Sequence, residues 1–454
     1  MSISRLLNSI RHFDLPFVAA VASLLVIGSI VVNAALPTTG SGLSLWWRFI
    51  AAMNIGLIIA VLISFIPHNF FTELSLPIYI LSVFLLVLVL VFGVVIHGSK
   101  SWFALGPIHF QPSELAKLAT ILYVSKLVAF YWERDVVLVS KAKLHVILAL
   151  AFPLFLIMLE PDVSSSISFV FLALLYVFCA DILRPGLLAM AVTFFVLLFA
   201  FLLLHCISGL SLSEVSSIAG ILQNIGFGPG AGLMTWFFLF IVLGIGSWIV
   251  YRMGMGILIM NPRTTWLWAA GLWFFIGSAF LLAWGGWKAL KGYQVGRIVS
   301  FLFPGADPLG SGYNIAQSKI AIGAGGFLGR GQFLSTQTSL GFLPAKHTDF
   351  AFSTLAETMG FMGSIVVIAL FVILLWRLGK FAELARDDFA RLVSLGFLGL
   401  WTGEVFLNLA CVLGLFPILG LGLPFVSYGG SRLVVNLIGV GILLSISRGI
   451  YVYR

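Results

Sequence analysis

Apolar runs of about twenty residues recur along this chain, at 15–35, 47–66, 77–96, 112–131, 144–160, 163–181, 186–206, 232–251, 264–285, 352–376, 391–414 and 423–448. Each is long enough, or nearly so, to cross a hydrocarbon core. In that core only a helix or a closed barrel satisfies its own backbone, and runs of this length and uniformity are helical. The chain is therefore expected to be an all-α polytopic membrane protein of about twelve transmembrane helices. Composition agrees: 61% of the residues are apolar and 9% charged, against about a quarter charged in a soluble domain. Only Glu160-Pro161-Asp162 separates the fifth and sixth runs, which reads as two helices joined by a tight turn.

Lys and Arg in short loops stay on the cytoplasmic side. With the N-terminus inside, Arg5, Arg11, Arg134, Lys141, Lys143, Arg184, Arg252, Arg263, Arg377, Lys380, Arg386 and Arg448 fall there, and the short external loops hold only Lys100. Both ends are thus expected inside, and the net charge of +9 is mostly topological. No basic tract or recognition module points to nucleic acid. The first apolar run is too long for a cleaved leader and is read as the first span. Cys179, Cys206 and Cys411 are scattered small residues of the spans, and the seven histidines show no ligand spacing.

Residues 286–349 break the pattern. They form a glycine-rich, polar segment between spans, on the external side by parity, and carry Lys288, Lys291, Arg297, Lys319, Arg330 and Lys346. Loops this long within a compact protein are usually functional or disordered. Its cations suit an anionic lipid headgroup or pyrophosphate, or simply a solvated basic loop. Within it Gly323-Ala-Gly325-Gly326-Phe-Leu-Gly329-Arg330-Gly331 resembles a nucleotide fingerprint only faintly. The spacing is wrong and no βαβ unit surrounds it, so a dinucleotide site is excluded.

Ionisable residues within spans are costly and are functional candidates by default. Pro112 suits a first helical turn, and Glu114 and Lys117, three apart, share a face and can pair. Asp162 suits the cap of the helix that follows it. Lys346, His347, Thr348 and Asp349 converge where a span begins; Asp349 is either a helix cap or a surface general base. In Leu423-Pro-Phe-Val-Ser427-Tyr-Gly429-Gly430-Ser-Arg432 the paired glycines permit close packing or an unwound segment. Arg432 needs a partner or an anionic ligand there, and Glu404 on the preceding span is the candidate partner.

Six of these segments, in order, resemble the SEDS family of cell-wall polymerases (shape, elongation, division and sporulation). They are Trp102 to Lys117, Glu160-Pro-Asp162, Tyr293-Gln294 with Arg297, Asp307-Pro through Gly331, His347-Thr-Asp349-Phe, and Leu423 through Ser431. Gln317-Ser-Lys-Ile-Ala-Ile-Gly323 is closer to the elongation branch than to the division branch. The resemblance implies a single membrane domain over 1–454 that polymerises lipid II, with 286–349 as its catalytic loop. It implies Asp349 as the catalytic base, and Arg48, Trp102, Glu114, Lys117, Arg297, Lys346 and His347 as substrate-binding residues. Asp162, Ser427, Gly429 and Gly430 would be structural. No cofactor is required, although a divalent cation, Mg or Mn, would suit the pyrophosphate. Implied partners are a class B penicillin-binding transpeptidase and the elongation (rod) complex, in the bacterial cytoplasmic membrane.

The chain departs from the family pattern at Val163-Ser164-Ser165, at Glu404, and over 207–285, read as an inserted hairpin of two helices beside a ten-helix core. A lipid II flippase or other transporter, a scaffold for wall enzymes, and a division-type polymerase are the alternatives. No obvious inverted repeat favours a transporter.

Overall fold

The computed structural model describes residues 13–35, 42–96, 99–106, 108–133, 140–179, 301 and 311–452. They form the helices α1 (Leu15–Ala34), α2 (Gly42–Ser64), α3 (His68–Phe92), α4 (Pro112–Glu133), α5 (Ser140–Leu159), α6 (Val163–Cys179) and α7 (Ser311–Ala324). The short α8 (Gly331–Leu334) and α9 (Thr336–Ser339) come next, then α10 (Ala351–Leu384), α11 (Asp388–Val412) and α12 (Gly430–Val452). Between α3 and α4 lie three antiparallel strands, β1 (Val94–Ile96), β2 (Ser99–Leu105) and β3 (Ile108–Phe110), in the order β1-β2-β3. Two compact units result, residues 1–182 with 314–454, and residues 183–313. Glu114, Lys117, Asp162, Asp349 and Ser427 all belong to the first.

Among the described residues eight helices, α1–α5 and α10–α12, are long and apolar enough to cross a membrane, and α6 is a shorter apolar one. These correspond to nine of the twelve expected spans; the runs at 186–206, 232–251 and 264–285 lie outside the described residues, as does the insertion at 207–285. Two span starts are corrected, and α10 runs on to Leu384 where 376 was expected. The third span is α3, beginning at His68 rather than 77, because a polar first turn (His68, Asn69, Thr72, Glu73) precedes its apolar body. The last span begins at Gly430 rather than 423, because residues 423–429 are turn and coil.

The helices are not equivalent. In α4, α11 and α12, 61%, 72% and 78% of the apolar window is buried, against 22–44% in the other five long spans. These three are the inner helices, and α11 packs against α4, α6 and α10. Opposite ends of the bundle are latched separately. At one end Asp14, the N-cap of α1, pairs with Arg377 of α10, and His68 Nε2 lies 2.7 Å from Asp387, the N-cap of α11. At the other end gather the strands, the α5–α6 turn and the segments before α10 and α12.

The glycine-rich motif has a structural use. α10 is interrupted at Gly360, whose φ of 70° and ψ of −164° are non-helical. In an unbroken helix the amides of Phe361 and Met362 would bond to the carbonyls of Glu357 and Thr358. Here they donate to Gly326 O and Phe327 O at 2.9 and 3.1 Å, while Glu357 O accepts from Arg330 N at 2.9 Å. The 325–330 strap is thus stitched backbone to backbone into the break. Only glycine permits the approach: a Cβ at Gly325 would overlap the Ala356 carbonyl, and one at Gly329 the Thr358 carbonyl. Non-helical backbone at a span is tolerated where protein satisfies it.

Candidate functional site

The inner helices carry a buried charge cluster. Glu114 and Lys117 lie on one face of α4, and their carboxylate and ammonium meet at 2.9 Å. Lys117 Nζ also reaches Glu404 Oε1 of α11 at 2.6 Å, and Arg432 of α12 donates to Glu114 Oε1 at 3.1 Å. Glu404 is therefore partnered by Lys117 rather than by Arg432, as its position one span away had suggested. Glu114, Lys117 and Glu404 are at most 2% exposed. Two carboxylates meet two cations, so the cluster is neutral, as burial in low dielectric requires.

Beside it, Asp162 caps α6 as its position suggested: Ser165 N donates to Oδ1 at 3.1 Å. Its other oxygen accepts from Gln111 Nε2 at 2.6 Å and Ser165 Oγ at 2.7 Å. The Val163-Ser164-Ser165 departure thus supplies hydroxyls to the cap, and α6 begins at Val163. Glu160 is different. It is fully buried, and neither carboxylate oxygen has a hydrogen-bond partner. Burial, with Asp162 adding to it, pushes its carboxyl from the usual 4.5 up to about 9. The folded chain holds this proton where an unfolded chain has lost it, so the group's contribution to stability is full below about pH 4.5 and declines as pH rises toward 9. Glu160→Gln, which keeps the shape without the ionisation, is expected to raise the melting temperature at pH 8 and to match the parent at pH 4.5. Melting in detergent across that range checks it.

Next to the cluster sits the turn 345–350, ahead of α10. Lys346 O accepts from Thr354 Oγ1 at 2.9 Å, His347 O from Tyr428 N at 2.7 Å, and Asp349 O from Asn408 Nδ2 at 3.0 Å. The His347 and Tyr428 rings meet edge-on, centroids 5.7 Å apart. The N-cap of α10 is Phe350, not Asp349. The chain ahead of the turn is held from within the span: Glu357 accepts from Gln337 N, Thr338 N and Thr338 Oγ1 at 2.8, 2.8 and 2.6 Å, and Lys346 Nζ donates to Thr338 O. Burial pulls the Lys346 ammonium below its usual value, with Glu357 acting against that.

The segment 413–429 joins turn and cluster. Ser427 Oγ accepts from Leu423 N at 2.7 Å, Arg432 Nη1 donates to Gly422 O at 3.3 Å, and Asn408 Nδ2 donates to Leu421 O at 2.5 Å. Gly429 precedes α12 and Gly430 is its first residue; a Cβ at Gly430 would meet open space, so close packing does not explain that glycine. Trp102 lies on β2 opposite Val94, half-buried, and Arg48 is exposed on α2. Arg297 lies outside the described residues. Sequence reading missed Gln111, Glu357 and Asn408, although polar groups inside apolar runs were a usable signal for the last two. Among the described residues no group of three or more His, Cys, Asp or Glu is placed to hold a metal ion, and Asp162 is already committed to Gln111 and serines. The described residues do not make a metal cage.

Together these features define a polytopic membrane protein whose inner helices hold a neutral charge cluster beneath a folded, glycine-stitched loop. The FtsW/RodA/SpoVE family, described as cell cycle protein, matches residues 12–217 and 225–451. The chain belongs to that family and is a glycosyltransferase. Curated relatives include the peptidoglycan glycosyltransferase MrdB of Escherichia coli K12, 31% identical over 436 residues, 96% of this chain and 93% of that one. RodA of Treponema pallidum is 32% identical over 395 residues, covering 86% and 87%. A probable FtsW of Trichlorobacter lovleyi is 29% identical over 448 residues, covering 97% and 94%. Among solved structures, a chain of a peptidoglycan synthase complex that coordinates polymerization and crosslinking superposes with a TM-score of 0.62 at 26% identity, covering 97% and 98%. Thermus thermophilus RodA shares the fold, with a TM-score of 0.56 at 24% identity over 97% and 98%.

Proposed function

We propose that the chain polymerises lipid II, the undecaprenyl-pyrophosphate-linked disaccharide-pentapeptide, into glycan strands during cell elongation. The observation that carries the reading is the turn 345–350, which fixes Asp349 by main-chain bonds beside the buried cluster. The acceptor's GlcNAc 4-hydroxyl attacks the anomeric carbon of the donor MurNAc as its proton passes to the Asp349 carboxylate. The bond from that carbon to the pyrophosphate oxygen breaks, undecaprenyl pyrophosphate leaves, and configuration inverts from α to β. General-base help at the hydroxyl and positive charge at the leaving group are what this reaction needs. Arg48 and Arg297 are assigned to the pyrophosphate, Trp102 to a sugar face, and Lys346 and His347 to the substrate at the turn. Glu114 and Lys117, ion-paired and buried, are assigned to support the substrate site from beneath. A divalent cation, Mg or Mn, would travel with the pyrophosphate rather than reside in the protein.

The names of the relatives support peptidoglycan as the product, and the synthase complex supports a crosslinking partner, which we assign to the class B transpeptidases of an elongation complex in the bacterial cytoplasmic membrane. Full-length protein with that partner, given labelled lipid II, is expected to yield a ladder of strands on a gel. The absence of a ladder, with lipid II crossing liposome membranes instead, would replace the polymerase by a flippase.

A further inference from the structure

Helix α11 turns one polar face inward. Trp401 Nε1 donates to Asn436 Oδ1 of α12 at 3.1 Å, Glu404 takes Lys117 one turn on, and Asn408 lies a further turn along. Asn408 is 1% exposed, so its amide exchanges water for protein partners. Its Nδ2 has two hydrogens and faces two carbonyls, Asp349 O at 3.0 Å and Leu421 O at 2.5 Å. The acceptors determine the amide's orientation, because a flipped side chain would press its oxygen against both. The Oδ1 atom is buried without a partner, a cost accepted to keep the donor in place.

The consequence is geometric. Glu404 and Asn408 are four residues apart on one rigid helix, about 6 Å of rise. The first is tied to the ion cluster and the second to the backbone of the turn. Leu421, the other carbonyl on Asn408, precedes Gly422, whose carbonyl is held by Arg432 of the same cluster. Two routes therefore link the turn to the cluster through Asn408, beside a third that runs from His347 O to Tyr428 N, four residues ahead of Arg432.

We infer that Asn408 is a positioning residue, which sets the height of Asp349 above the ion cluster by holding its main-chain carbonyl. It does not touch substrate. It limits the range over which the carboxylate is presented to the acceptor hydroxyl, and a displacement of about 1 Å at a reacting group costs on the order of a hundredfold in rate. The inference rests on the reading of Asp349 as the base.

The test uses the full chain with its transpeptidase partner, lipid II turnover at varied substrate concentration, and hydrogen exchange resolved by peptide. Asn408→Ala is expected to lower kcat at least tenfold with KM within twofold. Exchange across residues 345–350 should rise at least tenfold, while the body of α10 stays unchanged. Asn408→Gln, which keeps both donors, should recover part of kcat. Should Asn408→Ala not assemble, Asn408→Ser carries the same comparison with one donor retained. Unchanged exchange at 345–350 overturns the inference. So does raised exchange with unchanged kcat while Asp349→Ala is inactive. An active Asp349→Ala removes the base reading instead, and exchange at 345–350 then decides the anchoring by itself.

Discussion

Asp349→Ala is expected to abolish strand synthesis, with turnover falling by roughly 10²–10⁴, the range a positioned general base supplies. Asp349→Asn should fall as far, because it retains the shape and loses the basicity. The structure explains why folding should survive either change. Three contacts that hold the turn go to main-chain atoms and persist in either variant, from Asn408 to Asp349 O, from Tyr428 to His347 O and from Thr354 to Lys346 O. None of these three needs the carboxylate. Nor does the Asp349 side chain cap α10, whose N-cap is Phe350. The measurement pairs the lipid II gel assay with melting in detergent. Loss of the ladder at an unchanged melting temperature assigns the base, and a fully active variant removes Asp349 from that role.

How far the fold was legible depends on which interactions are local. The Pro112 helix start, the Asp162 cap and the Glu114–Lys117 pair depend on neighbours within a turn, and each was found where its spacing placed it. The apolar runs were legible because lipid leaves a backbone few alternatives. Misplaced boundaries fell where polarity and helicity part company: His68 to Ser75 is helical though polar, and Leu423 to Gly429 is apolar though not helical. Pairing across the bundle was not legible. Lys117 and Glu404 are 287 residues apart, and no periodicity distinguishes that pairing from Glu404 with Arg432. The glycine motif was correctly denied a nucleotide, but its use depends on a break in α10 about thirty residues downstream, visible only once the two segments are side by side. The small sheet at 94–110 went unread because its strands of three, seven and three residues are too short to show an alternation.

The cluster itself makes the second large prediction. Lys117 is the cation that Glu114 and Glu404 share, and the two are not equally exposed to its loss. Glu114 retains Arg432 at 3.1 Å. Glu404 has no hydrogen-bonded reserve: Lys117 is the partner of its Oε1, its Oε2 is buried without one, and Arg432 acts on it only through space. Lys117→Met, nearly the same length and apolar, therefore leaves one carboxylate buried and uncompensated, and removing one partner of a buried pair costs about 3–5 kcal/mol. Glu404→Gln alone should cost less, about 1–3 kcal/mol, since Lys117 keeps Glu114 and gains an amide oxygen. The decisive case is the double variant Lys117→Met/Glu404→Gln. Charge is again balanced, one carboxylate on one guanidinium, so it should be more stable than Lys117→Met despite carrying two substitutions. Reversible unfolding in mixed micelles gives the cycle. A double variant no more stable than Lys117→Met would mean that the ammonium's packing, rather than its charge, holds α4 to α11. A recovered one would make neutrality the property that these three inner helices preserve beneath the turn 345–350.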